Sequence, residues 1–117
     1  MAIISRFLGG VVASYTGTGA NVNLDLGFVP AHAMGIDQSN GTASWWWNAA
    51  MSSPSSAGSQ AFGQTNAAGT FATIAVGTGG ITTLDGSAGN GIGLVIGTNT
   101  VINLSAHGYV VTAWEPM

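Results

Sequence analysis

Hydrophobic and polar residues alternate along much of the chain, in short runs separated by Gly, Asn, Ser and Thr. The clearest run covers residues 21–26, in which Val22, Leu24 and Leu26 share one side and polar residues the other. A period of two is that of a β-strand with one buried and one solvated face. Nine further strands are predicted on similar grounds, at residues 2–7, 11–16, 32–37, 43–49, 70–76, 80–84, 93–96, 101–104 and 109–114.

Short strands with turn residues between them predict a single all-β domain over residues 1–117, an antiparallel β-sandwich of jelly-roll type. Asn-Gly pairs at 40–41 and 90–91 each favour the positive φ angles of a type I′ hairpin turn. Pro30 cannot donate to a ladder and is expected to end the strand that precedes it. Residues 51–68, rich in Ser, Ala, Gln and Gly, are predicted to form a long loop.

Ionic groups are scarce, because the chain has one Arg, no Lys and four acidic residues, and only 4% of it is charged. Binding along a nucleic-acid backbone requires several cations, so the single Arg6 argues against a nucleic-acid partner. No apolar run approaches the roughly 18 to 20 residues of a membrane helix, so no membrane partner is expected. The absence of Cys excludes a disulfide scaffold, a thiolate metal site and a thiol nucleophile.

Patterns for catalysis and metal binding are weak. His32 and His107 are too few for a three-ligand zinc site unless Asp37 or Asp85 completes it. No Ser lies in the G-x-S-x-G pattern of a hydrolase elbow. Residues 85–91 lack the alternating acids and terminal Glu of a calcium loop, and a plain turn is predicted there. We therefore expect no enzyme, no catalytic residue, no metal and no cofactor.

The most informative segment is residues 44–48, which contains three consecutive tryptophans. In a strand, Trp45 and Trp47 point to one face and Trp46 to the other. One face can belong to the core of the domain. The opposite indole needs a cover, and the predicted loop at 51–68, a neighbouring subunit and a bound sugar are three alternatives that stay open.

Strand edges supply a separate reason to expect assembly. Exposed edges recruit other strands unless Lys, inward charges, Pro or bulges protect them. The sequence has no Lys and only five formal charges. An obligate oligomer or a component of a lattice is therefore expected, since its partners would cover the edges and the low-charge surface.

Two stretches resemble segments of structural proteins of tailed bacteriophages. Residues 25–33, Asp-Leu-Gly-Phe-Val-Pro-Ala-His-Ala, resemble a strand, Leu-Gly-Phe-x-Pro, strand segment, and residues 103–114 resemble the ending of those proteins, a polar turn followed by Tyr-x-Val-x-Ala-Trp. Residues 80–82 and 93–97 look like the intervening strands. The resemblance spans about residues 20 to 115. It implies a β-sandwich of the kind used in capsid cement (decoration) proteins and in distal tail-fibre or tailspike modules, which are commonly trimers.

This resemblance implies a homotrimeric cement protein that binds the major capsid protein on the outer surface of the phage head. The expected core and interface anchors are Trp45, Trp46, Trp47, Tyr109 and Trp114. An arm that contacts the shell is expected at Ile3, Ile4, Arg6 and Phe7. The alternative is a receptor-binding distal domain of a tail fibre or tailspike, with a host-surface glycan as its partner.

Overall fold

The computed structural model describes residues 1–39, 43–49, 61–65, 71–75, 79–86 and 89–116. The described ranges contain ten β-strands and no α-helix. No helix there is long and apolar enough to cross a membrane. The strands are β1 (Ala2–Phe7), β2 (Gly10–Thr16), β3 (Val22–Asp25), β4 (His32–Asp37), β5 (Ser44–Asn48), β6 (Ala61–Thr65), β7 (Phe71–Ala75), β8 (Ile81–Asp85), β9 (Ile92–Ile96) and β10 (Gly108–Trp114).

All of the strand pairs are antiparallel and belong to two sheets. The larger sheet has the order β1-β2-β10-β4-β5-β6-β7, and the smaller has the order β3-β9-β8. Side chains of both sheets meet in one hydrophobic cluster, with Tyr15 and Val111 from the larger sheet and Leu24 and Ile96 from the smaller. The chain is thus all-β, with two sheets sharing one core, an arrangement compatible with a β-sandwich.

Large and small side chains alternate across the inner face of the larger sheet. Trp45 and Trp47 on β5 face Gly35 and Ala33 on β4, and Ala33 faces Ala113 on β10. A Cβ atom on Gly35 would collide with the indole of Trp45, so glycine is needed there for close approach. The small residues of β4 therefore let both indoles lie inside the core, at 1% and 0% exposure.

Two predicted elements are wrong. Residues 101–104 form turns, because Asn99 accepts a hydrogen bond from the Val101 amide through its Oδ1 at 2.9 Å and another from the Asn103 amide through its carbonyl at 3.0 Å. The predicted loop at 51–68 contains strand β6, which pairs with both β5 and β7. Ladder hydrogen bonds from two neighbours can impose a strand where the local alternation is weak.

The turn predictions have mixed outcomes. The pair at 40–41 lies outside the described residues. The segment at 86–91 does reverse the chain between β8 and β9, but the type I′ assignment is wrong because Asn90 lacks a positive φ. Gly86, Gly89 and Gly91 supply the positive φ angles instead.

Candidate interaction surface

The larger sheet presents apolar side chains on the face that points away from the core. Cross-strand partners share a face, so the pairs Trp46 with Met34, Met34 with Thr112, and Thr112 with Val12 define a row across four strands. Next to this row lie Ile36 and Val110. We call the apolar members of this face the outer patch, which consists of Val12, Met34, Ile36, Trp46, Val110 and Trp114.

Three members of the outer patch are substantially exposed. Ile36 is 52% exposed, Met34 44% and Trp114 36%. The outward positions of β2, β10, β4 and β5 carry no Asp, Glu, Lys or Arg. The one titratable group among them is His32, whose ring lies 5.1 Å from the ring of Trp114. The outward face of these four strands is therefore largely apolar and carries no acidic side chain, Lys or Arg.

The outer face of the smaller sheet has a different character. Asn23, Val95 and Thr82 form a row across its three strands, with Asp25 exposed at the end of β3. Leu84, on the same face, is covered and only 7% exposed. The two outward faces of the molecule thus differ, one polar and one apolar. Water suits the first face and a protein partner suits the second.

Strand β1 forms one edge of the larger sheet. It pairs with β2 through its whole length, with a register shift between Ile3 and Ser5 that marks a bulge at Ile4. Ile3 packs against the core, whereas Ile4 is 58% exposed and Arg6 and Phe7 are exposed. The residues expected to form a shell-contacting arm are therefore held in an edge strand of the domain. Their contact with a shell stays a prediction.

The predicted anchors separate into two groups. Trp45, Trp47 and Tyr109 are in the core, at no more than 1% exposure, and a partner cannot reach them in the folded chain. Trp46 lies on the outward face, opposite Trp45 and Trp47 as the alternation predicts, and Trp114 lies on the same outward face. A partner can therefore use only the second group.

Sequence reasoning missed Met34 and Ile36. On β4 the usual signal is inverted, because Ala33, Gly35 and Asp37 face inward while the two large apolar side chains face outward. A search for alternation in side-chain size, and not in polarity, could have found Met34 and Ile36. Small residues inside β4 match the tryptophans on the neighbouring strand, which leaves the larger residues to the surface.

A pair of tyrosines ties the loop before β10 to the core. The Tyr15 hydroxyl donates to the Ile102 carbonyl at 2.7 Å and accepts from Trp45 Nε1 at 3.1 Å. The Tyr109 hydroxyl donates to the Val101 carbonyl at 3.0 Å, and the two tyrosine rings stack with centroids 4.8 Å apart. Burial raises the pKa of both phenols above the ordinary value. Both hydroxyls therefore stay protonated and act as structural donors.

Asp37 and His107 form a second polar contact, in which Asp37 is buried and the His107 side chain is 26% exposed. His107 Nδ1 lies 2.7 Å from Asp37 Oδ2, and the Ser39 amide donates to the other carboxylate oxygen at 2.8 Å. The Ser39 hydroxyl accepts a hydrogen bond from the Gly108 backbone amide at 2.9 Å. This arrangement fixes the start of β10 against the end of β4.

The two histidines are not brought together, since His32 lies on β4 beside Trp114 and His107 contacts Asp37. Within the described ranges, no three residues of the His, Cys, Asp and Glu types form a group that could hold a metal ion.

Comparison of the chain with protein-family models, with curated proteins and with solved structures finds no match.

Proposed function

We propose that this chain is a structural virion protein, a capsid cement (decoration) protein that binds the outer surface of a phage head and stabilises the shell. The observation that carries the proposal is the outer patch. Monomeric soluble proteins rarely expose a contiguous apolar area of this kind without using it for binding. The outer patch lies on central strands of a sheet, with no charged side chain on the outward positions of β2, β10, β4 and β5 to interrupt it.

The nature of the partner comes from the resemblance of residues 25–33 and 103–114 to structural proteins of tailed bacteriophages. On that basis the outer patch docks on the major capsid protein. The jelly-roll form of the sandwich and the homotrimer also belong to this proposal. A trimer would present three copies of the outer patch at once, so dissociation from the shell would require several contacts to break together.

The polar face of the smaller sheet supports the same orientation. If the outer patch lies against the shell, Asn23, Asp25 and Thr82 face the surrounding water. A cement protein has this division of surfaces, because one side is buried on the particle and the other is its new exterior. No turnover is required of it, and the apolar contact alone slows separation of the shell subunits.

The test is binding to shells assembled from the major capsid protein of the phage that carries this chain. Ile36→Lys places a charge in the outer patch and is expected to weaken binding at least about tenfold, since a buried unpaired charge costs several kcal/mol. Asn23→Lys on the smaller sheet is the matched control and should bind as the unchanged protein does. Circular dichroism and thermal unfolding check that both variants fold.

Copy number in the particle separates the proposal from the alternative. A cement protein approaches the copy number of the shell subunit, whereas the tip of a tail fibre is present in far fewer copies.

Loss of shell binding in Asn23→Lys but not in Ile36→Lys would reverse the assignment of the docking face. Failure of the unchanged protein to bind shells, together with a low copy number in particles, would reject the cement function.

A further inference from the structure

A cavity of about 350 Å³ opens where β1, β2, β10 and the end of β4 come together. Its polar walls are Ser14 and Thr16 on β2 and Gln38 just after β4. Met1 and Ala2 close one side, with Ala2 directly opposite Ser14 across the β1–β2 ladder. The volume is at the lower end of the range for small-molecule sites. We call this cavity the Gly108 cavity, after one of the residues that line it.

Gly108 creates the space. It pairs with Thr16, and its carbonyl accepts a hydrogen bond from the Gln38 amide at 2.8 Å, so it lies between two of the polar walls. A Cβ atom at this position would have only one neighbour within 4 Å, the Ser39 hydroxyl at 3.9 Å. The missing side chain therefore leaves an opening between Thr16 and Gln38, and a larger residue there would fill it without a backbone clash.

The polar side chains that line the Gly108 cavity differ in hydrogen bonding from the polar side chains beside it. Asp37, Ser39 and His107 are all engaged with one another or with backbone groups. The side chains of Ser14, Thr16 and Gln38 have no hydrogen-bond partner among the described residues. Two hydroxyls and one amide, each able both to donate and to accept, thus converge on one space.

We propose that the Gly108 cavity binds a neutral sugar ring. No Asp, Glu, Lys, Arg or His side chain lines it. Sugar hydroxyls donate and accept at once, which matches hydroxyl and amide side chains. The volume suits a mono- or disaccharide. The cavity lies on the same outward face as the outer patch, because Ser14 pairs with Val110, so its sugar binding is tested on the free protein. It is distinct from the tryptophan surface of the tail-fibre alternative.

The experiment is a titration of the isotopically labelled free protein with methyl glucoside, methyl galactoside and N-acetylglucosamine, followed by backbone and side-chain amide NMR. At least one neutral sugar is expected to shift the signals of Ser14, Thr16, Gln38 and Gly108, with a dissociation constant on the order of 1 mM. Glucuronate and glucosamine provide charged comparators of the same ring size. They should bind no more tightly than the neutral sugars.

Two variants test the site. Gly108→Val fills the opening and should weaken binding at least about tenfold, whereas Thr112→Val, on the same face of β10 but outside the cavity, should leave binding unchanged. Gln38→Met removes hydrogen bonds from an exposed position and should weaken binding several-fold. This variant still tests the site if Gly108→Val does not fold.

The proposal is rejected if no neutral sugar shifts these signals, if the shifts map to Trp46 and Trp114 instead, or if the folded cavity variants bind as the unchanged protein does.

Discussion

Asn103 is the buried polar residue with the most partners in the described structure. Its side-chain oxygen accepts from the Thr18 amide at 2.7 Å, and its Nδ2 donates to the Ala20 carbonyl at 2.6 Å and the Gly97 carbonyl at 2.8 Å. The side chain is 0% exposed. A single amide therefore connects the turn after β2, the end of β9 and the loop before β10, and both of its polar atoms take part.

Replacement of Asn103 by Ala is expected to lower the free energy of unfolding by about 2 to 4 kcal/mol. The change leaves the Thr18 amide and two carbonyl groups without their partner, and each lost bond costs about 1 kcal/mol or more. Urea denaturation measures the difference. Asn23→Ala is the matched control on an exposed position of β3 and should stay within about 0.5 kcal/mol of the unchanged protein. Equal effects of the two substitutions would contradict the structural role of Asn103.

The buried tyrosines predict a loss of stability at high pH. Burial raises the pKa of Tyr15 and Tyr109 above 10.0, whereas in the unfolded chain both phenols titrate near their ordinary value. Above that pH the unfolded state loses protons that the folded state keeps, so the free energy of unfolding falls as pH rises. The full contribution is present below about pH 10, and each tyrosine contributes a slope of up to about 1.4 kcal/mol per pH unit above it.

Denaturation from about pH 8 to pH 12, together with tyrosinate absorbance, measures this effect. The chain has two tyrosines, no Lys and no Cys, so few other groups titrate in this range. Tyr15→Phe should make the slope shallower because one of the two buried phenols is gone. Tyrosinate that forms near pH 10 while the chain stays folded would contradict the prediction.

Strand β1 has an exposed edge and two features that protect such an edge from pairing with other strands. The bulge at Ile4 interrupts a regular ladder, and Arg6 places the only cation of the chain on this strand. Both are known means of keeping other strands away. The expectation from sequence was that the edges lack protection, whereas the structure shows two protecting features on the edge strand β1.

Arg6→Thr is expected to increase self-association at a fixed protein concentration, as measured by light scattering or sedimentation. The substitution makes the net charge more negative, from -3 to -4, which by itself would oppose association. An increase would therefore come from the uncovered strand edge. Arg6→Lys keeps the cation and should match the unchanged protein. Unaltered dispersion of Arg6→Thr would mean that the bulge alone protects this edge.

Over the whole molecule, the positions of most strands could be predicted from the sequence. Which side chains of each strand face the core and which face outward could be predicted only in part. Alternation placed most strands to within a residue or two, because a half-buried strand has a period of two whatever its partners are. It also placed Trp46 opposite Trp45 and Trp47. It could not place Met34 and Ile36 outside, because that depends on the volume of the indoles on the next strand. The Gly108 cavity could not be predicted either, since it depends on how β1, β2, β10 and the end of β4 come together.

The order of the strands has a consequence for how the chain is made. Strand β10 is the last of the ten to be synthesised, yet it lies between β2 and β4. Until it emerges from the ribosome, those two strands cannot reach their neighbour, and the larger sheet exists only as separate hairpins with open inner edges. Such a topology completes its sheet only once β10 has been synthesised and depends on distant contacts, which slows folding and leaves nascent chains open to aggregation. Expression at low temperature or with chaperones is the practical remedy that this strand order recommends.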